Sequence, residues 1–267
     1  MLVVSLTSIA SRVHCLTEVL ETLTAQSMAP DQIVVWLSEE PFLLDRGIRP
    51  DEVPSELGRL ERTSRIPIDI RFTENIGPLR KIIPTLDLYK AEQSSLIVVT
   101  ADDDQLYRRY WLESLYRGYE RRACAVAFRA RSIAFENTRP APYSTWLKIS
   151  PDREVFSSNL IVTGTKGHLL TAEMLSDKFF SDDYKRLCPS RSDIWIGAAL
   201  LAKKTPTLKL SISRIQRGDT ATSVGNRFKA PKTGYLDRAK SLWVFNEDKN
   251  DQLIVDTFQH FGLLYPE

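Results

Sequence analysis

Leu2 to Leu6 form a short apolar run that stops at Thr7 and Ser8, the pattern of a buried strand. Val13, Leu16, Leu20 and Leu23 then recur at helical spacing, with Ser11 placed as an N-cap and Pro30 closing the segment. Ile33 to Leu37 is a second continuous apolar run, as in parallel strands covered on both faces. The connection between the two strands is long enough for a right-handed crossover. Residues 39–65 are rich in proline, glycine and charge and read as a surface excursion with one short helix around Leu57 and Leu60. Ile66, Ile68, Ile70 and Phe72 alternate as in a strand with one wetter face. Leu79, Ile82, Ile83 and Leu86 mark a helix, and Leu96 to Val99 a fourth strand.

Beyond Asp104 come an aromatic helix (Tyr107, Tyr110, Trp111, Leu115, Tyr119) and a strand at Cys124–Phe128. The pattern then loosens. Residues 129–160 carry Pro140, Pro142 and Pro151 and read as long loops, while helices return at Ala172–Lys178, Asp193–Ala202 and Gln252–Phe261. The alternation predicts an α/β fold, a Rossmann-type mixed and mostly parallel sheet flanked by helices. It predicts one domain over 1–267, with a regular half at 1–130 and an irregular half at 131–267.

The charge balance changes the picture by exclusion. Against 34 Asp and Glu stand 36 Lys and Arg, a net charge of +2, without the basic excess that nucleic-acid binding requires. No apolar run approaches the roughly 20 residues that span a bilayer. The opening lacks the basic region and long apolar stretch of a secretory leader. Cys15, Cys124 and Cys188 are odd in number and widely spaced, which suits neither a disulfide framework nor a metal knuckle. A reducing, cytoplasmic compartment is the expectation.

Candidate chemistry concentrates at Asp102-Asp103-Asp104, which follow the Leu96–Val99 strand. Three adjacent carboxylates repel one another unless a cation or donors compensate them. In an extended backbone, residues two apart share a side, so Asp102 and Asp104 would face one ligand while Asp103 turns away. Mg²⁺ and Mn²⁺ take oxygen ligands and are commonly held by one or two carboxylates plus phosphate oxygens. Strand carboxyl ends in open α/β sheets are also where ligands bind. The competing reading is an acidic turn capping the next helix.

With those residues in place, the chain resembles the family-2-like glycosyltransferases of the GT-A fold, in a branch associated with bacterial polysaccharides. Val3 to Ser8, the approach Gln26-Ser27-Met28-Ala29-Pro30-Asp31 and Glu74-Asn75-Ile76-Gly77 are similar to the family's opening strand, its entry to strand two and its Asn-x-Gly segment. The Asp triplet stands where the family carries its DxD metal motif. Pro189 to Ile196, with Ser192-Asp193, is similar to its acidic catalytic pair, and Asn250-Asp251-Gln252 also fits. There are two departures. Ser38-Glu39-Glu40 replaces the Asp-Asp-Gly-Ser run that contacts base and ribose, and Ser192 stands where a first carboxylate often sits.

The resemblance implies a metal-dependent, inverting transfer of a sugar from a nucleoside-diphosphate sugar to a hydroxyl acceptor. Residues 1–130 would be the nucleotide-sugar half and 131–267 the half holding acceptor and base. Asp102 and Asp104 would hold Mn²⁺ or Mg²⁺, and Asp193 would be the general base. Donor contacts would come from Thr7, Ser8, Arg12, Ser38, Glu39, Asn75, Gly77, Lys81, Asp102 and Asp103, and from Gly167 and His168 in the Gly164–His168 loop. Arg80 reads either as added positive charge beside the diphosphate or as a solvated helix residue, Trp195 as core, and Tyr143 and Trp146 as either core or sugar-stacking aromatics. The acceptor would be a saccharide, free or lipid-linked, with Arg121, Arg122, Lys203 and Lys204 available to touch the inner face of a membrane. Two other classes fit less well. A sugar nucleotidyltransferase would show a glycine-rich loop after strand one, whereas Leu6 to Arg12 holds no glycine. A non-catalytic carbohydrate binder would have no need of Asp193.

Overall fold

The structure is a computed structural model that describes residues 1–43, 45–163, 166–212, 222–223 and 247–264. Four parallel strands open the chain: β1 (Leu2–Thr7), β2 (Gln32–Leu37), β3 (Ile68–Phe72) and β4 (Ile97–Thr100). Further along come β5 (Ala125–Ala127), β6 (Val155–Ser157), β7 (His168–Leu170) and β8 (Thr207–Lys209). They form one eight-stranded sheet in the order β6-β8-β5-β7-β4-β1-β2-β3. β7 runs antiparallel between β4 and β5, and β6 antiparallel at the edge; the remaining pairings are parallel. The mixed, mostly parallel sheet expected from the alternation is therefore present, and both halves of the chain contribute to it.

β1 and β2, in the middle of the parallel run, are largely apolar on both sides because each side is covered. Along β1, Leu2, Val4 and Leu6 enter one hydrophobic cluster while Val3 enters the other. Ile33, Val35 and Leu37 of β2 likewise face one layer and Val34 and Trp36 the opposite one. The first layer contains α1 (Leu16–Thr24), α2 (Ser55–Thr63) and α4 (Trp111–Arg122). The second holds α3 (Ile83–Leu88), the short α5 (Tyr184–Leu187), α6 (Ser192–Ala202) and α7 (Glu247–His260). Side-chain identity shows where α6 sits: from Ile194 to Leu200 every residue is buried, so no polar stripe remains on that stretch.

Several local expectations are corrected. Ser11 does not cap α1; a 3₁₀ turn at Val13–Cys15 precedes the helix, with no side-chain cap at either start. The Leu79–Leu86 helix is split into a 3₁₀ turn at Gly77–Lys81 and α3, which begins just before Pro84; proline is tolerated in a first turn but not inside a helix. Ala172–Lys178 is not a helix but part of two 3₁₀ turns, Ala172–Met174 and Asp177–Phe180. Residues 129–160 are not only loops. Ala130–Ser132 pairs with Leu147–Lys148 on one side and Leu160–Val162 on the other, a small antiparallel sheet packed on α6.

Candidate active site

The carboxyl ends of β1, β2, β3 and β4 and the start of antiparallel β7 converge on one edge of the sheet. Three connected groups of side chains are built there.

Beneath the surface, Asp45 organises the first. It lies in the polar excursion after β2 yet is buried, and its carboxylate accepts from four donors. Oδ2 accepts from Arg80 Nη2 at 3.1 Å and Asn75 Nδ2 at 3.2 Å. Oδ1 accepts from the backbone N–H groups of Ala10 at 3.0 Å and Gly47 at 3.2 Å. Arg80 Nη2 also donates to the Ser8 carbonyl at 3.2 Å, so the loop after β1 is held from two directions. Arg80 is 1% exposed and is no solvated helix residue; the sequence reading is corrected there. Burial pulls its pKa down, with Asp45 and Asp103 opposing.

That loop carries the second group. Ser8 Oγ donates to Asp103 at 2.6 Å and Arg12 Nε donates to the same carboxylate at 3.0 Å. Asp103 is thus turned inward and charge-balanced, and its attraction raises the Arg12 pKa further. Asp102 behaves differently. Its carboxylate accepts from Lys81 Nζ at 2.7 Å, while its backbone N–H donates to the Tyr107 hydroxyl at 2.6 Å. Burial pushes the Asp102 carboxyl up, Asp104 and Asp103 add to the rise, and Lys81 opposes it. The Lys81 ammonium is disfavoured by burial but more than compensated by Asp102, with Asp193 and Asp103 behind it, so its pKa rises.

The third group is an open cleft of about 340 Å³. It is lined by Arg12, Lys81, Asp102, Asp103 and Asp104 together with Arg129, Arg131, Tyr143, Thr163 and Asp193. Asp193 stands in the first turn of α6 rather than at its N-cap, which is Arg191. Of the residues singled out from sequence, seven line the cleft together: Arg12, Lys81, Asp102, Asp103, Asp104, Tyr143 and Asp193.

The others lie elsewhere. Thr7 Oγ1 donates to the Trp36 carbonyl at 2.8 Å. Ser38 is buried and accepts from the Glu40 N–H at 3.3 Å, and Glu39 is exposed; neither lines the cleft. Asn75 belongs to the Asp45 network, and Gly77 takes φ +64° against Phe42 and Pro189. Gly167, at φ +96°, lies where a Cβ would run into the Trp111 ring. His168 is buried, its Nε2 has no hydrogen-bond partner among the described residues, and burial followed by Lys81 pushes its pKa down to about 3. Gly164 and Thr165 lie outside the described residues. Trp195 and Trp146 are both core. Arg121 pairs with Glu154, and Arg122 stacks on Phe156.

Sequence reasoning missed Asp45, Arg129, Arg131 and Thr163. Asp45 gave no signal beyond an acidic residue in a polar stretch. The other three follow β5, where the regular pattern ends.

The site can bind an anion bearing several oxygens and present a carboxylate to it. Whether it fits a divalent ion is answered by its donors. Among the described residues no three His, Cys, Asp or Glu side chains form a ready cage. Mg²⁺ and Mn²⁺ do not need one: two carboxylates suffice when a phosphate and water complete the shell. Asp102, whose charge is disfavoured by burial and by Asp104 and Asp103, would be relieved by such an ion. The donor set fits.

Among the described residues no helix is long and apolar enough to cross a membrane. No protein-family model matches the chain, and no curated protein matches it in sequence. Among the solved structures similar in fold, two illustrate the likeness. One is residues 1–349 of TarS from S. aureus, at 14% identity and a TM-score of 0.48, covering 98% of this chain and 72% of that one. Another is a CMP:2-keto-3-deoxy-manno-octonic acid synthetase in complex with CTP, at 9% identity and a TM-score of 0.47, covering 91% of this chain and 98% of that one. These are likenesses of coarse architecture, and the functional argument rests on the side chains.

Proposed function

We propose that the protein is a glycosyltransferase that moves a sugar from a nucleoside-diphosphate sugar to a hydroxyl acceptor. The observation that supports this most strongly is the meeting of Asp193 with Asp102, Asp104 and Lys81 in one cleft, across about ninety residues of sequence. Such a transfer needs stabilisation of a leaving diphosphate, removal of a proton from the acceptor, and alignment of both.

Lys81 and Arg12 line the cleft beside the Asp triplet and supply positive charge where negative charge grows on the diphosphate. Asp102 and Asp104 would hold Mn²⁺ or Mg²⁺, which when bound adds further neutralisation of that diphosphate. Asp103 keeps the triplet in register through Ser8 and Arg12. In the same cleft, Asp193 accepts the proton of the acceptor hydroxyl as its oxygen attacks the anomeric carbon. The bond from that carbon to the diphosphate oxygen breaks, the electron pair leaves with the phosphate, and one direct displacement inverts the anomeric centre. Bacterial surface polysaccharide is the proposed setting, by the resemblance of the sequence.

A thermal-shift panel of nucleoside diphosphates with and without Mn²⁺ tests the reading. A ligand at a hundred times its dissociation constant stabilises the folded state by about 2.7 kcal/mol. With an unfolding entropy of about 2.1 cal/mol/K per residue, that is a rise of about 5 °C in Tm for this length. One nucleotide is expected to give this shift only with Mn²⁺, and Asp104→Ala to abolish it. No shift with any nucleotide refutes the proposal.

A further inference from the structure

The cleft also holds a nearly buried guanidinium, that of Arg131, which the transfer itself does not use. Resting on the glycosyltransferase reading, we infer that Arg129, Arg131 and Thr163 form a subsite for an anionic substituent, phosphate or carboxylate, on the acceptor next to its reacting hydroxyl.

Arg131 is 5% exposed and lines the cleft. Among the described residues its partners are the Trp146 carbonyl, which accepts from Nη1 at 3.1 Å, and the Tyr143 ring, 4.6 Å from the guanidinium carbon. A carbonyl and an aromatic face orient a guanidinium but do not neutralise it, and a nearly buried charge left without an anion is costly. Arg129, Tyr143 and Asp193 line the same cleft.

Thr163 is the independent sign of a ligand. It is 8% exposed, lines the cleft, and its Oγ1 is buried with no hydrogen-bond partner among the described residues. Its backbone N–H donates to the Arg129 carbonyl at 3.1 Å, which ties hydroxyl and arginine into one rigid unit. In the next pairs of that sheet, Val162 lies opposite Ala130 and Ile161 opposite Arg131. Ile161 packs so tightly on α6 that a Cβ at Gly197 would clash with it, which fixes the sheet against the helix bearing Asp193. Guanidinium groups with one hydroxyl donor match the planar or tetrahedral oxygens of a carboxylate or phosphate.

The test measures binding of glycerol 3-phosphate and glucuronate by calorimetry, against glycerol and glucose as neutral counterparts, for wild type, Arg131→Gln, Arg131→Lys and Thr163→Val. The anions are expected to bind and the neutral compounds not. Arg131→Gln should weaken anion binding at least tenfold, Thr163→Val by a smaller factor, and Arg131→Lys should restore part of it. Preference between the two anions distinguishes phosphate from carboxylate. The Mn²⁺-dependent nucleotide shift should survive in all variants, which also reports that they fold. Equal binding of neutral and anionic compounds, or unchanged anion binding in Arg131→Gln, overturns the inference. So does competition by a nucleoside diphosphate, which would assign the arginines to the donor. If wild type binds the anions but no nucleotide, the subsite stands as an anion site and the transferase reading fails instead.

Discussion

Asp45→Ala removes the carboxylate that ties three segments together, and its cost can be worked from the contacts. The substitution leaves Arg80, 1% exposed, without its ion-pair partner, and takes away the acceptor for Asn75 Nδ2 and the N–H groups of Ala10 and Gly47. Removing one partner of a buried ion pair costs about 3–5 kcal/mol, because the remaining charge is uncompensated. At about 2.1 cal/mol/K per residue, the unfolding entropy of 267 residues is about 0.56 kcal/mol/K, so Tm should fall by about 5–9 °C. Asp51→Ala is the control. Asp51 pairs with Arg49 at 3.1 Å, but both side chains are about 70% exposed, and such pairs contribute at most about 1 kcal/mol. Scanning calorimetry of the two variants beside wild type decides the matter. If Asp45→Ala melts within 2 °C of wild type, as Asp51→Ala should, the buried network is not what holds the Ser8 loop.

Two other outcomes follow from the site. Asp193→Asn should lower sugar transfer by about a hundredfold or more, the range lost with a general base, while the Mn²⁺-dependent nucleotide shift stays; transfer near wild type removes Asp193 from that role. His168, pushed down to about 3 by burial and then Lys81, stays neutral in the fold while the unfolded chain takes up a proton below its usual value near 6.5. Its stabilising effect is therefore complete above pH 6.5 and declines as pH falls from there towards 3. Between pH 6.5 and 5 the loss is about 1.7 kcal/mol by linkage, so urea unfolding of His168→Gln should show a flatter acid profile than wild type. Parallel profiles contradict this.

The parallel core was readable because its strands are covered on both faces and so appear as unbroken apolar runs, Leu2–Leu6 and Ile33–Leu37. Asp103 lies in a turn beyond the end of β4, where strand alternation no longer applies, and Ser8 and Arg12 are its partners in the fold. Arg80 was misread because its neighbours on the chain suggest an exposed helix; its burial follows from Asp45, 35 residues earlier in a segment with no apolar period. Arg129, Arg131 and Thr163 stayed hidden for another reason. They sit on strands of three residues or at their ends, too short for alternation to register, and only pairing across 30 residues brings them together. The 3₁₀ turns at Ala172–Met174 and Asp177–Phe180 have helical spacing over less than two turns, which periodicity cannot tell from a helix.

The central claim is that the bond broken joins a sugar to a diphosphate. Incubating the protein and Mn²⁺ with a panel of nucleotide sugars and a mixed saccharide acceptor pool, then identifying phosphorus-containing products by mass spectrometry, addresses it directly. The account predicts that one donor is consumed with release of its nucleoside diphosphate, in wild type and not in Asp193→Ala. Release of inorganic pyrophosphate from a nucleoside triphosphate and a sugar, with every nucleotide sugar left intact, would contradict it.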